Sequence, residues 1–374
     1  MRIVADDKIP FLRGVLESYS DVVYLPGSAI GPEDVREADA LIVRTRTRVG
    51  EELLKGSRVK AVVSATIGTD HMDISWLEAT GIAWANAPGC NSGSVMQYVA
   101  SVFAALEMEY YPLEGKTLGV VGVGNVGSKV ARVGEAFGMK VLLNDPPRAD
   151  QEPGFKNVDL NVLMQMSDVI TFHVPLTREG KYSTYHLLND TTLMMMKRGS
   201  VLINTSRGEV VDTRVMKKGI SSGIIERGIL DVWENEPDIS QELQERLMIG
   251  TPHIAGYSVD GKANGTSAAV RFISRQFGLG LDDWFPARLP VFDDMTISPD
   301  DPEKPLNHQL ASVVLATYDV RDDSKRLSDH PEHFEELRGN YPVRREFPAW
   351  RVVVARPYED LKQSLELLGF QINQ

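Results

Sequence analysis

Over the first ninety positions, apolar residues come in short runs separated by amphipathic stretches. Runs at 2–5, 22–25, 40–43, 61–65 and 82–85, built mostly from Val, Ile, Leu and Ala, predict strands. Between them the spacing predicts helices over 10–19 and 51–54. Strands alternating with helices imply an open parallel sheet. At Pro88-Gly89-Cys90-Asn91-Ser92-Gly93 the composition changes to turn formers. Ser94 is then placed to cap a long helix over 95–109, with Val95, Val99, Val102, Phe103 and Leu106 on one stripe.

A second series starts after Lys116. It predicts strands at 118–121, 141–144, 169–172, 201–204, 229–231 and 248–250, with helices over 126–137, 191–196 and 213–221. Six strands with helical crossovers make up a complete dinucleotide-binding domain. A helix over 263–277 is placed to return to the first domain. Beyond Trp284, prolines at 286, 290, 299, 302 and 305 mark a boundary. After it come helices at 309–318, 334–337 and 358–368 and a strand at 351–355. The expected fold is therefore α/β: two doubly wound parallel-sheet (Rossmann-like) domains plus a small α+β C-terminal domain. Its boundaries are 1–93 for the first part of a substrate domain, 94–257 for the cofactor domain, 258–285 for the return segment and 286–374 for the last module.

A chain of 374 residues is too long for one ordinary core, which agrees with this division. Acidic residues outnumber basic ones by 52 to 40, a formal charge of −12, so neither nucleic acid nor an anionic membrane is an expected partner. No apolar run reaches the roughly 18 residues of a membrane span. Arg2-Ile3-Val4-Ala5 meets Asp6 and Asp7 too soon for a secretory signal. Cys90 is the single cysteine, so no intrachain disulfide forms and a reducing cytoplasm is expected. No metal is expected either.

Gly122, Gly124 and Gly127 form G-x-G-x-x-G, a weak signal alone. Here a buried-strand pattern precedes it, and Val126, Val130, Val133 and Phe137 form an apolar helical stripe after it. The first glycine allows the tight turn, the second lets backbone approach a pyrophosphate, and the third lets helix and sheet pack. Asn125 and Val126 lie in the loop, where the helix N-terminus meets phosphate charge. Asp145 follows the next strand, 18 residues past Gly127 (145 − 127). A carboxylate there accepts from ribose hydroxyls and repels a 2′-phosphate, so NAD is favoured over NADP.

Open α/β sheets bind ligands beyond the carboxyl ends of their strands. The polar residues there are Asp145, His173, Thr205-Ser206-Arg207, Asp231 and His253. Oxidising a 2-hydroxy acid needs a cation for the carboxylate, a base for the hydroxyl proton and a nicotinamide face for the hydride. Arg207 offers a planar fork. His253 and His173 both suit a base, since imidazole titrates near working pH. His253 is preferred, because Pro175 suggests a turn after His173 that lies beneath the cofactor. Glu236 is a candidate to orient His253, and Asp231 to meet the nicotinamide.

Asn204-Thr205-Ser206-Arg207-Gly208-Glu209-Val210-Val211-Asp212, Leu230-Asp231-Val232-Trp233-Glu234-Asn235-Glu236-Pro237 and Thr251-Pro252-His253-Ile254-Ala255-Gly256 resemble the three signatures of the D-2-hydroxyacid dehydrogenase family. The resemblance runs over roughly residues 1–285 and implies catalytic roles for Arg207, Glu236 and His253. It implies NAD contacts at Val174, Thr205, Ser206, Asp231 and Gly256. Ala65-Thr66-Ile67-Gly68-Thr69-Asp70-His71, Asn144-Asp145-Pro146-Pro147-Arg148 and Asn340-Tyr341-Pro342-Val343-Arg344-Arg345-Glu346-Phe347 are similar to a branch acting on a 4-phosphorylated hydroxy acid. In that branch an extra C-terminal domain supports a homodimer. A small phosphorylated 2-hydroxy acid is thus the implied substrate. Thr45, Thr66 and Tyr257 match substrate-contact positions. Arg44 and Arg46, two apart at a strand end, are expected to share a face and bind the phosphate. Arg344 or Arg345 is expected to reach across the dimer toward it.

Overall fold

The computed structural model describes residues 1–299, 303–354 and 359–373. Contacts divide the chain into two compact units. One comprises Met1–Asn91 and Ser258–Pro290, the other Ser92–Tyr257 and Val291–Gln374.

In the first unit, strands β1 (Arg2–Asp6), β2 (Asp21–Leu25), β3 (Ala40–Val43), β4 (Ala61–Ser64) and β5 (Ala83–Ala85) form one parallel sheet in the order β2-β1-β3-β4-β5. β3 and β4 are buried at every residue, which is why their sequences read as unbroken apolar runs. The helix Val259–Phe277 lays Ala269, Val270 and Ile273 against one face of this sheet. Residues 10–19 do not form the expected helix. Phe11 and Gly14 have φ of 63° and 84°, which break helical geometry. The apolar spacing there marks burial, since Leu12 and Leu16 are fully enclosed.

In the second unit, β6 (Thr117–Val121), β7 (Lys140–Asn144), β8 (Val169–Phe172), β9 (Ser200–Asn204), β10 (Ile225–Leu230) and β11 (Ile249–Gly250) form a six-stranded parallel sheet. Its order is β11-β10-β9-β8-β6-β7, which reverses direction next to β6. Both large sheets are therefore doubly wound and Rossmann-like, as the alternation predicted. The helix Ser92–Met108 is buried along nearly its whole length. It starts before Ser94, so Ser94 does not cap it. The Ser94 hydroxyl instead donates to Glu346 Oε1 at 2.7 Å.

The C-terminal segment adds a parallel sheet of β12 (Thr296–Ile297), β13 (Arg351–Val353) and β14 (Gln371–Asn373), with β13 in the middle. Its helices Leu306–Thr317 and Glu359–Leu368 join the core that holds Val99, Phe103 and Val130, through Leu310, Val314, Leu361 and Leu365. Each large apolar side chain enclosed this way contributes about 1.5–3 kcal/mol. Ala355 and Tyr358, placed by the sequence at a strand end and a helix start, lie outside the described residues. The helix Val320–Asp329 was not expected. It is largely charged and buries only Val320, Asp323 and Leu327.

Candidate active site

The glycine loop follows β6 directly. Gly122 has φ 85°, and a Cβ there would lie 2.7 Å from the His173 carbonyl oxygen and 2.8 Å from Val174 Cγ1. A Cβ on Gly127 would lie 1.9 Å from the Gly122 oxygen, so the helix Gly127–Ala136 can start only on a bare backbone. At Gly124 nothing stands within 4 Å of that position, and Gly124 and Asn125 are exposed at the loop crest. Two close-packed glycines and one open glycine fit a pyrophosphate lying against backbone.

Asp145 accepts from the Val123 amide at 2.7 Å and the Arg148 amide at 3.0 Å. Each carboxylate oxygen keeps a lone pair for a ribose hydroxyl. Arg148 next to it would suit a 2′-phosphate, but its guanidinium is forked onto Glu152 at 2.7 and 3.2 Å and donates to the Val123 carbonyl. Asp145 with a neutralised arginine fits NAD.

The end of β9 is fixed by Asn204. Its carboxamide oxygen accepts from the Ser206 amide and hydroxyl, and its nitrogen donates to the Arg207 carbonyl at 2.8 Å. Gly208 completes the arrangement. A Cβ there would fall 2.0 Å from the Trp233 carbonyl carbon and oxygen, so only glycine lets this turn lie against the segment after β10. Neither Asn204 nor Gly208 was singled out as positioning from the sequence. The closeness of Gly208 to Trp233 has no local signal.

Arg207, Asn235, Glu236 and His253 thereby line one cavity of about 420 Å³, together with Arg178 and Tyr185. His253 Nδ1 lies 2.8 Å from Glu236 Oε2, and the other Glu236 oxygen accepts from the Trp233 amide at 2.9 Å. With Nδ1–H donating to the carboxylate, Nε2 carries the lone pair. Burial alone would raise the Glu236 pKa. The bond and charge of His253, the Trp233 amide and the charge of Arg338 outweigh it and hold the carboxyl below its ordinary value.

Asp231 is 1% exposed, and its carboxylate accepts from Thr251 Oγ1, the Ile254 amide and the Ala255 amide at 2.7, 2.7 and 2.9 Å. It holds the turn that carries His253, and burial raises its pKa against those bonds. His173 is held between Thr171 Oγ1 at 2.9 Å and Thr205 Oγ1 at 3.2 Å. Desolvation pushes its pKa down to about 3, which makes it a neutral structural group and a poor base. Val174 packs on the glycine turn, Gly256 is half-buried in the His253 turn, and the Tyr257 ring meets Tyr341 edge-on at 5.8 Å.

Arg44, Thr45, Arg46 and Thr66 belong to the first unit. Residues 44–47 form a turn past β3, so strand alternation does not place Arg44 and Arg46 on one face. Arg44 donates to the Lys8 carbonyl at 3.0 Å, Thr45 and Arg46 are exposed, and Thr66 shares a 2.8 Å bond with Ser64. Arg344 is 3% exposed and donates to the Ala255 carbonyl of its own chain. Arg345 is likewise buried, at 8% exposed.

Residues 94–255 match the family model described as D-isomer specific 2-hydroxyacid dehydrogenase, NAD binding domain. Residues 290–369 match a domain of unknown function. Erythronate-4-phosphate dehydrogenase of Bacteroides fragilis is 46% identical over 95% of this chain and 100% of its own. The enzyme of that name from Klebsiella pneumoniae is 42% identical over 93% and 92%. Among solved structures, D-lactate dehydrogenase from Aquifex aeolicus, complexed with NAD and lactic acid, superimposes with a TM-score of 0.62. It shares 28% identity, over 75% of this chain and 97% of that one. The chain belongs to the D-isomer specific 2-hydroxyacid dehydrogenase family, within its erythronate-4-phosphate dehydrogenase branch.

Proposed function

We propose that the chain oxidises 4-phospho-D-erythronate at C2 to (R)-3-hydroxy-2-oxo-4-phosphooxybutanoate, a step of pyridoxine 5′-phosphate (vitamin B6) biosynthesis in the cytoplasm. The observation that carries the chemistry is the 2.8 Å His253–Glu236 contact in one cavity with Arg207. Bound NAD supplies the hydride acceptor. His253 Nε2 takes the C2 hydroxyl proton as the C2–H bond breaks and the C2=O bond forms. Glu236 keeps the imidazole in the right tautomer and offsets the charge it gains. Arg207 pairs with the substrate carboxylate and polarises the C2 oxygen.

The glycine loop, Asp145, Val174, Thr205, Ser206 and Gly256 are assigned to the cofactor. Asp231 acts through the His253 turn. Arg44 and Arg46 are assigned to the phosphate, and Thr45, Thr66 and Tyr257 to the remaining polar contacts, on the strength of the sequence match. A panel of 2-hydroxy acids with and without a 4-phosphate, followed by NADH absorbance, tests the substrate. The phosphorylated four-carbon acid should have the highest kcat/KM. Preference for an unphosphorylated acid would reject this substrate and leave the family reaction standing.

The C-terminal module is assigned to a homodimer. That assignment rests on the sequence match; Val291, Phe292, Val343 and Val353 are 69, 39, 46 and 40% exposed in this module. Sedimentation equilibrium should give twice the chain mass; a monomer at every concentration would remove the assignment.

A further inference from the structure

The buried basic group of the C-terminal module has a place in the reaction. The turn Thr251-Pro252-His253-Ile254-Ala255-Gly256 holds His253 at φ 56°, in the left-handed region that is uncommon for residues other than glycine. One side of the turn is held by Asp231, which accepts the Ile254 and Ala255 amides. Thr251 ties that carboxylate to Tyr98 through hydroxyl contacts of 2.7 Å each.

The other side is held from the C-terminal module. Arg344 Nη2 donates to the Ala255 carbonyl at 2.6 Å and lies 3.4 Å from the Ser94 carbonyl. The Ala255 residue is thus gripped at its N–H by Asp231 and at its C=O by Arg344. Considerable structure is spent on keeping that guanidinium in place. Its carbon lies 4.5 Å from the centroid of the Tyr318 ring and 5.7 Å from that of Tyr341. Both tyrosine hydroxyls donate to Asp323 at 2.7 Å, and Asp323 is 2% exposed and paired with Arg326. Among the described residues Arg344 Nε has no hydrogen-bond partner, an unmet donor that an apolar side chain would have avoided. A residue selected for packing alone would not be a desolvated cation with an orphaned N–H, its shortest bond made to the Ala255 carbonyl.

We infer that Arg344 is a positioning residue for the reaction: through the Ala255 carbonyl it fixes the turn that carries His253, so that the C-terminal module forms part of the catalytic apparatus. This rests on the reading of His253 as the base. Cation–π contact with two tyrosines and a charge-assisted bond to a carbonyl suit the planar fork of arginine and not the point charge of lysine. The Asp323–Tyr318–Tyr341 group sets the position of the fork, and Tyr257 leans on Tyr341 just past the turn. Loosening the fork lets the imidazole drift, and drift of about 1 Å costs on the order of 10²-fold in rate.

The test uses the full-length protein with Arg344→Met, Arg344→Lys and, as a control for module stability, Val352→Ala, whose parent side chain is enclosed in β13. Amide exchange is followed over 253–257, and kcat, KM for NAD and melting temperature are measured for each. Arg344→Met should raise exchange in the turn at least about tenfold and lower kcat by about 10- to 100-fold, with KM for NAD within about twofold. Arg344→Lys should fall between it and the parent, and carries the same test if the methionine variant does not fold. Val352→Ala should lower the melting temperature without lowering kcat. Parental exchange and kcat in the arginine variants would overturn the inference. So would raised exchange with parental kcat, or a kcat loss that the control matches at equal loss of melting temperature. Full turnover by His253→Ala would instead remove the base assignment, and the exchange data would still report whether Arg344 holds the turn.

Discussion

Two histidines in this chain meet carboxylates drawn from the single run Glu234-Asn235-Glu236, and they end in opposite states. His186 Nε2 lies 2.8 Å from Glu234, its Nδ1 is 3.9 Å from Asp212, and its ring stacks on Tyr185 at 3.9 Å. Glu234 in turn accepts the Thr213 amide at 2.7 Å. His253 meets Glu236 through Nδ1 at the same 2.8 Å, and among the described residues its Nε2 has no partner. Side-chain exposure is 28% for His186 and 33% for His253, so access to water does not distinguish them. The difference is which nitrogen is held. A carboxylate on Nδ1 leaves Nε2 as the proton acceptor, whereas a carboxylate on Nε2 with a second one near Nδ1 makes a brace between loops. A histidine–carboxylate pair is therefore not a catalytic signature until the free nitrogen has been located.

The largest contrast expected between the pairs is in the histidines themselves. His253→Ala should lower kcat by about 10³- to 10⁴-fold with NAD affinity nearly unchanged, while His186→Ala should stay within about tenfold. Steady-state rates and fluorescence titration with NAD check both, and comparable losses would erase the distinction. Next in size is Gly208→Ala. The new methyl would meet the Trp233 carbonyl, forcing apart the two segments that carry Arg207 and Glu236. A stability loss of about 1–3 kcal/mol with a larger fall in kcat/KM than in melting temperature is expected, read by urea unfolding and kinetics. A variant of parental activity would mean that the closeness of these segments is dispensable.

The smallest effect concerns the other strand-end histidine, His173. His173 has a folded pKa near 3, whereas in the unfolded chain imidazole titrates near 6.5. Between those values the unfolded chain binds more protons, so stability is full above pH 6.5 and falls as pH drops toward 3. His173→Gln should flatten that decline, seen as a smaller change in urea midpoint between pH 7 and pH 5. An unaltered slope would show that His173 is not the group responsible.

Much of this was readable from the sequence, for a definite reason. Strands such as β3 and β8 are covered on both faces, so their residues form unbroken apolar runs with turn formers on either side. The glycine loop could be read because each glycine answers a steric demand within one strand–turn–helix. Residues whose role depends on distant chain were not readable. Arg344 sits in a basic segment expected to reach across a dimer, yet its partners are Ala255, Ser94, Tyr318 and Tyr341. Asp231 ends its strand as expected, but its carboxylate is turned under a neighbouring turn by three donors that no local pattern announces. Arg44 and Arg46 were given strand alternation past the strand end because the apolar run before them stops without a glycine or proline to announce the turn.

The claim that Glu236 works only by way of His253 is open to a double-mutant cycle. Single-turnover NADH formation would be measured for Glu236→Gln, His253→Ala and the double variant, with Glu234→Gln and His186→Ala as the parallel pair. Glu236→Gln alone should slow hydride transfer by about 10²-fold or more, since an amide no longer favours the imidazolium. In the double variant that loss should vanish, leaving it no slower than His253→Ala. Losses that multiply in the double variant would contradict the assignment and give Glu236 a role of its own.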